Sequence, residues 1–118
     1  MSKLSEVSFV VPVYSGEEYL ERLVEQVETV RRSWEVEGSP IRLTELILVD
    51  DAAIDNSGAL IDTLTTSRPW VTALHLSRNF GQHAATMAGI LHSSGDWIVT
   101  LDEDLQHPPD RVEALLLH

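Results

Sequence analysis

The sequence contains no cysteine. A disulfide framework, a zinc–thiolate centre and a cysteine nucleophile are therefore excluded, and a reducing compartment is consistent with the composition. Basic residues are scarce as well. Eight Lys and Arg stand against 19 Asp and Glu, a formal net charge of -11, and Lys3 is the only lysine. That balance argues against binding nucleic-acid phosphates or an anionic membrane surface through this segment. It suits a domain that recruits a divalent cation before meeting an anionic substrate, although acidity also simply aids solubility. The N-terminus, Met1-Ser2-Lys3-Leu4-Ser5-Glu6, lacks the charged-then-apolar pattern of a signal peptide. No apolar run approaches the ~20 residues of a membrane helix. The expectation is a chain that stays on the cytoplasmic side. A Gly-rich phosphate loop after the first apolar run is also missing, which argues against a nucleotidyltransferase.

What is present fits one globular domain: 118 residues, 43% of them hydrophobic. Val7 to Val13 is almost continuously apolar and β-branched, as in a strand buried on both faces of a parallel sheet. Ser15 with Glu18 forms a capping box for a helix reaching about Trp34, with Leu20, Leu23, Val24, Val27 and Val30 as its inner stripe. Thr44 to Val49 is a second strand, followed by a weaker helix from about Asp55 to Thr66 with Leu60, Ile61 and Leu64 inward. Val71 to Leu76 is a third strand. Gly81 opens a third helix carrying Ala84, Ala85, Met87, Ala88, Ile90 and Leu91, and Gly95 is read as its C-cap. Asp96 to Leu101 is a fourth strand, and a last helix begins at Asp110. The alternation predicts an α/β fold: a Rossmann-like parallel sheet with right-handed crossovers and helices on both faces. The chain stops inside a helical pattern at Leu115-Leu116-Leu117-His118, so either that helix is an end cap or the sequence is part of a longer protein, the favoured reading.

Ligands of open parallel sheets bind beyond the carboxyl ends of the strands. Here those ends are Pro12-Val13-Tyr14, Asp50-Asp51, Ser77-Arg78-Asn79 and Asp102-Glu103-Asp104. Five carboxylates on one edge repel one another unless a cation neutralises them. Asp102 and Asp104 point the same way along an extended chain, Glu103 the other way, and Gln106 continues the alternation. This Asp-x-Asp arrangement of hard oxygen donors suits Mg²⁺ or Mn²⁺ bridging a diphosphate leaving group. By itself an Asp-x-Asp pair is common in acidic loops. Asp50 and Asp51 can read a base or ribose, or serve only as loop and helix caps. Tyr14 can stack on a base or cover the sheet end. Arg78 can pair with a phosphate. His83 and His107 lack ligand spacing and read as structural; Trp34, Trp70 and Trp97 read as core or interface.

Four blocks carry a resemblance to the N-terminal half of family 2 glycosyltransferases with the GT-A fold. They are Phe9 to Tyr14, Leu48-Val49-Asp50-Asp51 with Asp55, Ser77 to Ala85, and Leu101 to Pro109. The last two resemble the narrower polyprenyl-phosphate branch, which includes dolichol-phosphate mannose synthase and the undecaprenyl-phosphate glucosyl and aminoarabinose transferases. The resemblance implies transfer of a hexosyl-type sugar from a UDP- or GDP-sugar to a lipid phosphate, with inversion, in cell-envelope biosynthesis at the cytoplasmic membrane. It places Pro12 and Tyr14 in the nucleotide pocket, Asp50 or Asp51 on the base, Arg78 at the donor, and the Glu103 backbone near the sugar. Asp102, Asp104 and Gln106 would hold the metal. The catalytic group stays unassigned, with Asp104 and groups beyond His118 the candidates.

This sequence departs from the branch in three places. The acidic residue that often follows Tyr-Asn is replaced in Tyr14-Ser15-Gly16, leaving Glu17 as the substitute; the usual Gly and Ser after the acidic pair are Ala52 and Ala53. The acceptor-binding second half and the membrane helices are not in this sequence. The expectation is one nucleotide-sugar-binding domain over residues 1–118 that binds nucleotide weakly, does not turn over alone, and self-associates. A transferase with a soluble or polysaccharide acceptor is the alternative within the family. A non-catalytic receiver-type signalling module fits less well, because its acidic pair should follow the first strand and it needs a late lysine.

Overall fold

Residues 5–101 are described in a computed structural model of the chain. The expected last helix and the acidic stretch at 102–106 lie outside these residues. Four strands and three helices alternate: β1 (Ser5–Val13), α1 (Leu20–Val36), β2 (Ile41–Asp50), α2 (Ser57–Thr66), β3 (Val71–His75), α3 (Gln82–His92) and β4 (Trp97–Thr100). The strands form one sheet in the order β3-β2-β1-β4, and every pairing is parallel. The expected α/β architecture is therefore present.

The layers follow from the period-two alternation of the strands. Val7, Phe9, Val11 and Val13 turn to one face with Leu46 and Leu48, where Leu20, Leu23, Val24, Val27 and Trp34 of α1 and Ile61 and Leu64 of α2 close over them. Phe9 meets Trp34 edge to face, ring centroids 6.1 Å apart. Val10, Ile47 and Val49 turn to the other face, against Ala85 of α3. The small residues of α3 permit a close approach: a Cβ on Gly89 would stand 2.3 Å from Cγ1 of Val10. Met87 and Leu91 are exposed, because α3 meets the sheet through its Ala85–Gly89 side.

Three local expectations change. Helix α1 begins at Leu20, with Tyr19 at its N-cap and no side-chain cap, later than the start expected at Ser15. A turn closed by Gly16, whose carbonyl accepts from Tyr19 and Leu20, occupies the intervening residues. The C-cap of α3 is Ser93 rather than Gly95. Gly95 is small for another reason: its N–H donates to Ser8 Oγ at 2.9 Å, and a Cβ there would stand 2.8 Å from the Ser8 nitrogen. Finally, β2 is longer than its apolar run, and its register against β1 shifts between Val7 and Ser8.

Below that shift, Glu45 fastens the turn that follows α3. Its Oε2 accepts from the Ser8 hydroxyl, the Ser94 N–H and the Ser94 hydroxyl. Partial burial would raise the Glu45 carboxyl; the Ser8 and Ser94 donors outweigh it and hold it below the ordinary carboxylate range.

Candidate functional site

Because all four strands run the same way, the loops after β1, β2 and β3 leave from one edge. Chain order reverses between β1 and β4, since the third crossover returns past β1 on the opposite face. Such a switch point opens a crevice beyond the carboxyl ends of the strands. The Leu101 N–H donates to the Val10 carbonyl at 2.9 Å, so the chain reaches residue 101 alongside β1 at that edge.

Asp51 joins three of these segments. Its N–H donates to the Val13 carbonyl at 2.9 Å. Its Oδ1 accepts the Phe80 N–H at 2.8 Å, and its Oδ2 accepts the Gly81 N–H and the Asn79 side-chain amide, both at 3.1 Å. The same amide reaches the Asp51 carbonyl at 3.0 Å. With only 3% of the residue exposed, these charge-assisted bonds replace the water the carboxylate has lost. They fix the segment Ser77–Gly81 at the mouth of α3. Gly81, at φ 96, takes a backbone conformation that a side chain would disfavour.

Asp50 is similarly engaged. Its Oδ1 accepts the Ala53 N–H at 2.8 Å, which folds the turn beyond β2. In that turn Ala52 is held at φ 53, the only positive φ among described residues other than glycine. The other oxygen, Oδ2, lies 2.7 Å from His75 Nδ1, and His75 Nε2 lies 2.7 Å from Asp62 Oδ1 on α2. Hydrogen bonding to Asp50, then to Asp62, raises the imidazole above its ordinary value against a smaller opposing effect of burial.

The loops after β1 and β2 are strapped together. Asp55 accepts the Ser57 N–H at 2.9 Å, the Ser57 hydroxyl, and the Glu17 N–H at 3.2 Å. Burial would raise the Asp55 carboxyl, but the Ser57 and Glu17 donors together hold it below the ordinary range. The buried Ser57 hydroxyl in turn accepts the Gly16 N–H at 3.0 Å. The Ile54 N–H donates to the Tyr14 carbonyl at 3.1 Å.

Of the residues expected at the donor site, Pro12, Tyr14, Glu17, Asp50, Asp51 and Arg78 all lie at or near this edge. Pro12 is buried within β1 opposite Val49. Tyr14 is partly exposed beyond the strand end. Glu17 is exposed, and its carboxylate accepts the Asn56 amide at 3.1 Å. The Arg78 guanidinium sits 4.8 Å from the centre of the Phe80 ring and makes no ion pair among the described residues. Asp102, Glu103, Asp104 and Gln106 lie outside the described residues, and so does His107. Among the described residues no group of three or more His, Asp or Glu is arranged to hold a metal ion. No described helix is long and apolar enough to cross a membrane.

Sequence reasoning overlooked His75, Asp62 and Ser57. A signal for His75 existed: it ends β3 on the face that carries Val71 and Ala73, and β3 pairs in parallel with β2 so that His75 stands opposite Asp50. Ser57 and Asp62 carried no such mark: Gly16, which Ser57 holds, is 41 positions away, and His75, which Asp62 meets, lies on another element.

Comparison with known proteins bears on this edge. The family model for glycosyl transferase family 2 matches residues 8–118. A curated relative, the undecaprenyl-phosphate 4-deoxy-4-formamido-L-arabinose transferase of Proteus mirabilis (strain HI4320), is 41% identical over 115 residues, covering 97% of this chain and 33% of that protein. The chain thus spans about one third of its relative's length. Among solved structures, the mannosyltransferase PcManGT from Pyrobaculum calidifontis, in complex with GDP-Man and Mn²⁺, superposes with a TM-score of 0.75 at 19% identity, over 96% of this chain and 31% of that one. S. aureus TarS in complex with UDP-GlcNAc gives 0.67 at 19% identity, over 84% and 26%. At that identity the likeness speaks for the fold alone, the parallel α/β sheet expected from the sequence.

Proposed function

Because this chain belongs to glycosyl transferase family 2, we propose that it forms the donor-binding part of an inverting enzyme that moves a sugar from a UDP- or GDP-sugar to a polyprenyl phosphate. In this reading residues 1–118 are one nucleotide-sugar-binding unit of a longer, membrane-attached protein working on the cytoplasmic side. The carrying observation is the convergence of the β1, β2 and β3 loops around Asp51 at the edge where the strand order reverses. The lipid-phosphate acceptor is supported by the relative's name at 41% identity. A soluble-acceptor transferase has no comparable support.

Asp51 and Asp50 spend their carboxylates on shaping the pocket walls, so base contact falls to whatever acceptor capacity their oxygens retain. Tyr14, exposed at the strand end, would stack on a base. Arg78, held against Phe80 and without an ion pair among the described residues, is available to a diphosphate. Asp102, Asp104 and Gln106 supply only hard oxygen donors, a set that fits Mg²⁺ or Mn²⁺. A bound cation there would neutralise charge on the leaving diphosphate. The acceptor phosphate is ionised near neutral pH, so positioning and charge stabilisation matter more than a general base.

Calorimetric titration with UDP, GDP and their sugars, with and without Mn²⁺, tests this reading. Nucleotide binding that strengthens about tenfold or more with metal and is lost in the Asp102→Asn/Asp104→Asn double variant is expected. Binding indifferent to both manipulations would sink the metal assignment.

A further inference from the structure

His75 lies between two carboxylates, Asp50 on β2 and Asp62 on α2, each 2.7 Å from a ring nitrogen. These are the charged groups that face it among the described residues; the carboxylate of neighbouring Asp51 is turned to the 79–81 segment. An ionised carboxylate only accepts hydrogen bonds, and a neutral imidazole has one donor. Both contacts are satisfied only by the imidazolium. Losing the ring proton points a lone pair at a carboxylate oxygen and breaks one of the two links.

What the links hold is the donor-site wall. The Asp50 side chain is 12% exposed and the Asp62 side chain 65%. The solvated Asp62 is therefore the partner released first, which unties α2 from β3. Helix α2 rests directly on Asp50: a Cβ added to Gly58 in its first turn would stand 2.7 Å from Asp50 Oδ2. The start of α2 also carries Ser57 and, just before it, Asp55, which grip Gly16 and Glu17. The imidazolium thus ties the turn after β2, the start of α2 and, through them, the loop after β1.

We propose that His75 is a positioning residue for the nucleotide site: as an imidazolium bridging Asp50 and Asp62 it sets the loops after β1 and β2, and donor affinity follows its protonation. This rests on the donor-site reading above. His75 does not touch the ligand; it acts through Asp50 and α2. The sign is fixed by the raised imidazole. The tie is complete below its ordinary value of 6.5 and is lost as pH rises through the higher folded value.

The test is calorimetric titration of the protein with UDP and GDP in Mn²⁺ buffer across the imidazole titration, with His75 followed by its ring-nitrogen chemical shifts. Expected are both ring nitrogens protonated below the transition and a fall in affinity of about fivefold across it, at the lower end of ordinary coupling between sites. His75→Gln should bind like the deprotonated wild type at every pH. His75→Arg, which keeps a permanent cation with several donors, should restore affinity and flatten the profile. Wild-type binding that is unchanged while the ring titrates would overturn the proposal, as would a His75→Gln variant with the wild-type profile. Absence of nucleotide binding at every pH would instead overturn the donor-site reading, and this proposal with it.

Discussion

The acidic pair shows how much a single residue position decides. Asp50 and Asp51 are adjacent and chemically identical, yet alternation along β2 sends one carboxylate to His75 and α2 and the other to the segment before α3. Neither is a free acid waiting for a ligand. Their neighbour Ala52 stands at φ 53, where an L-residue with a Cβ is strained and glycine is not. Ala52→Gly should stabilise the protein by about 0.5–1 kcal/mol, the relief of strain exceeding glycine's extra unfolded-state entropy. Urea unfolding followed by tryptophan fluorescence measures this; a lower midpoint for the glycine variant would contradict it.

Among the elements, the seating of α3 is the most sensitive to change. Alanine is a better helix former than glycine by about 1 kcal/mol. On an exposed helix face, Gly89→Ala would stabilise. Here the added methyl meets Val10 Cγ1 at 2.3 Å and Val49 Cγ2 at 3.0 Å. The substitution should instead destabilise by about 1–3 kcal/mol through overpacking, seen as a lower thermal midpoint. A raised midpoint would mean that α3 can lift at no cost. The strands and the inner stripe of α1 were legible in the sequence because they depend on local alternation and helical spacing. The true start of α1 was not. Gly16 and Glu17 are held by Ser57 and Asp55, about 40 positions away, and a local capping pattern cannot report such a partner. Gly95 misled for the same reason: Ser8, 87 positions earlier, is what requires a small residue. At the site, the strand ends were readable as a shared edge, whereas the wiring of Asp50 through His75 required the register between β2 and β3.

For the whole molecule, β4 is the outermost strand of the described sheet next to β1, and its Trp97 and Ile98 are partly exposed. Met87 and Leu91 of α3 add further exposed apolar surface. An edge strand with apolar side chains invites pairing with a second copy. Sedimentation of the 118-residue chain should therefore show concentration-dependent self-association, and Ile98→Lys should shift it toward monomer. A single monomeric species at high concentration for the unsubstituted chain would refute this.

The strand order also sets a timetable for synthesis. β1 leaves the ribosome first and gains β2 on one side once residue 50 has appeared, but its other side is closed by β4, whose last residue is 100. At ordinary translation rates the intervening residues take roughly 3–10 s. For that interval the most thoroughly buried of the described strands has one edge unpaired, and the bond that bridges the gap at its far end, Glu6 to Asp96, spans 90 positions. The grip of Glu45 and Ser8 on Ser94 and Gly95 then acts as a latch. It delivers the fourth strand to a waiting edge and ends the period in which a foreign strand could take its place.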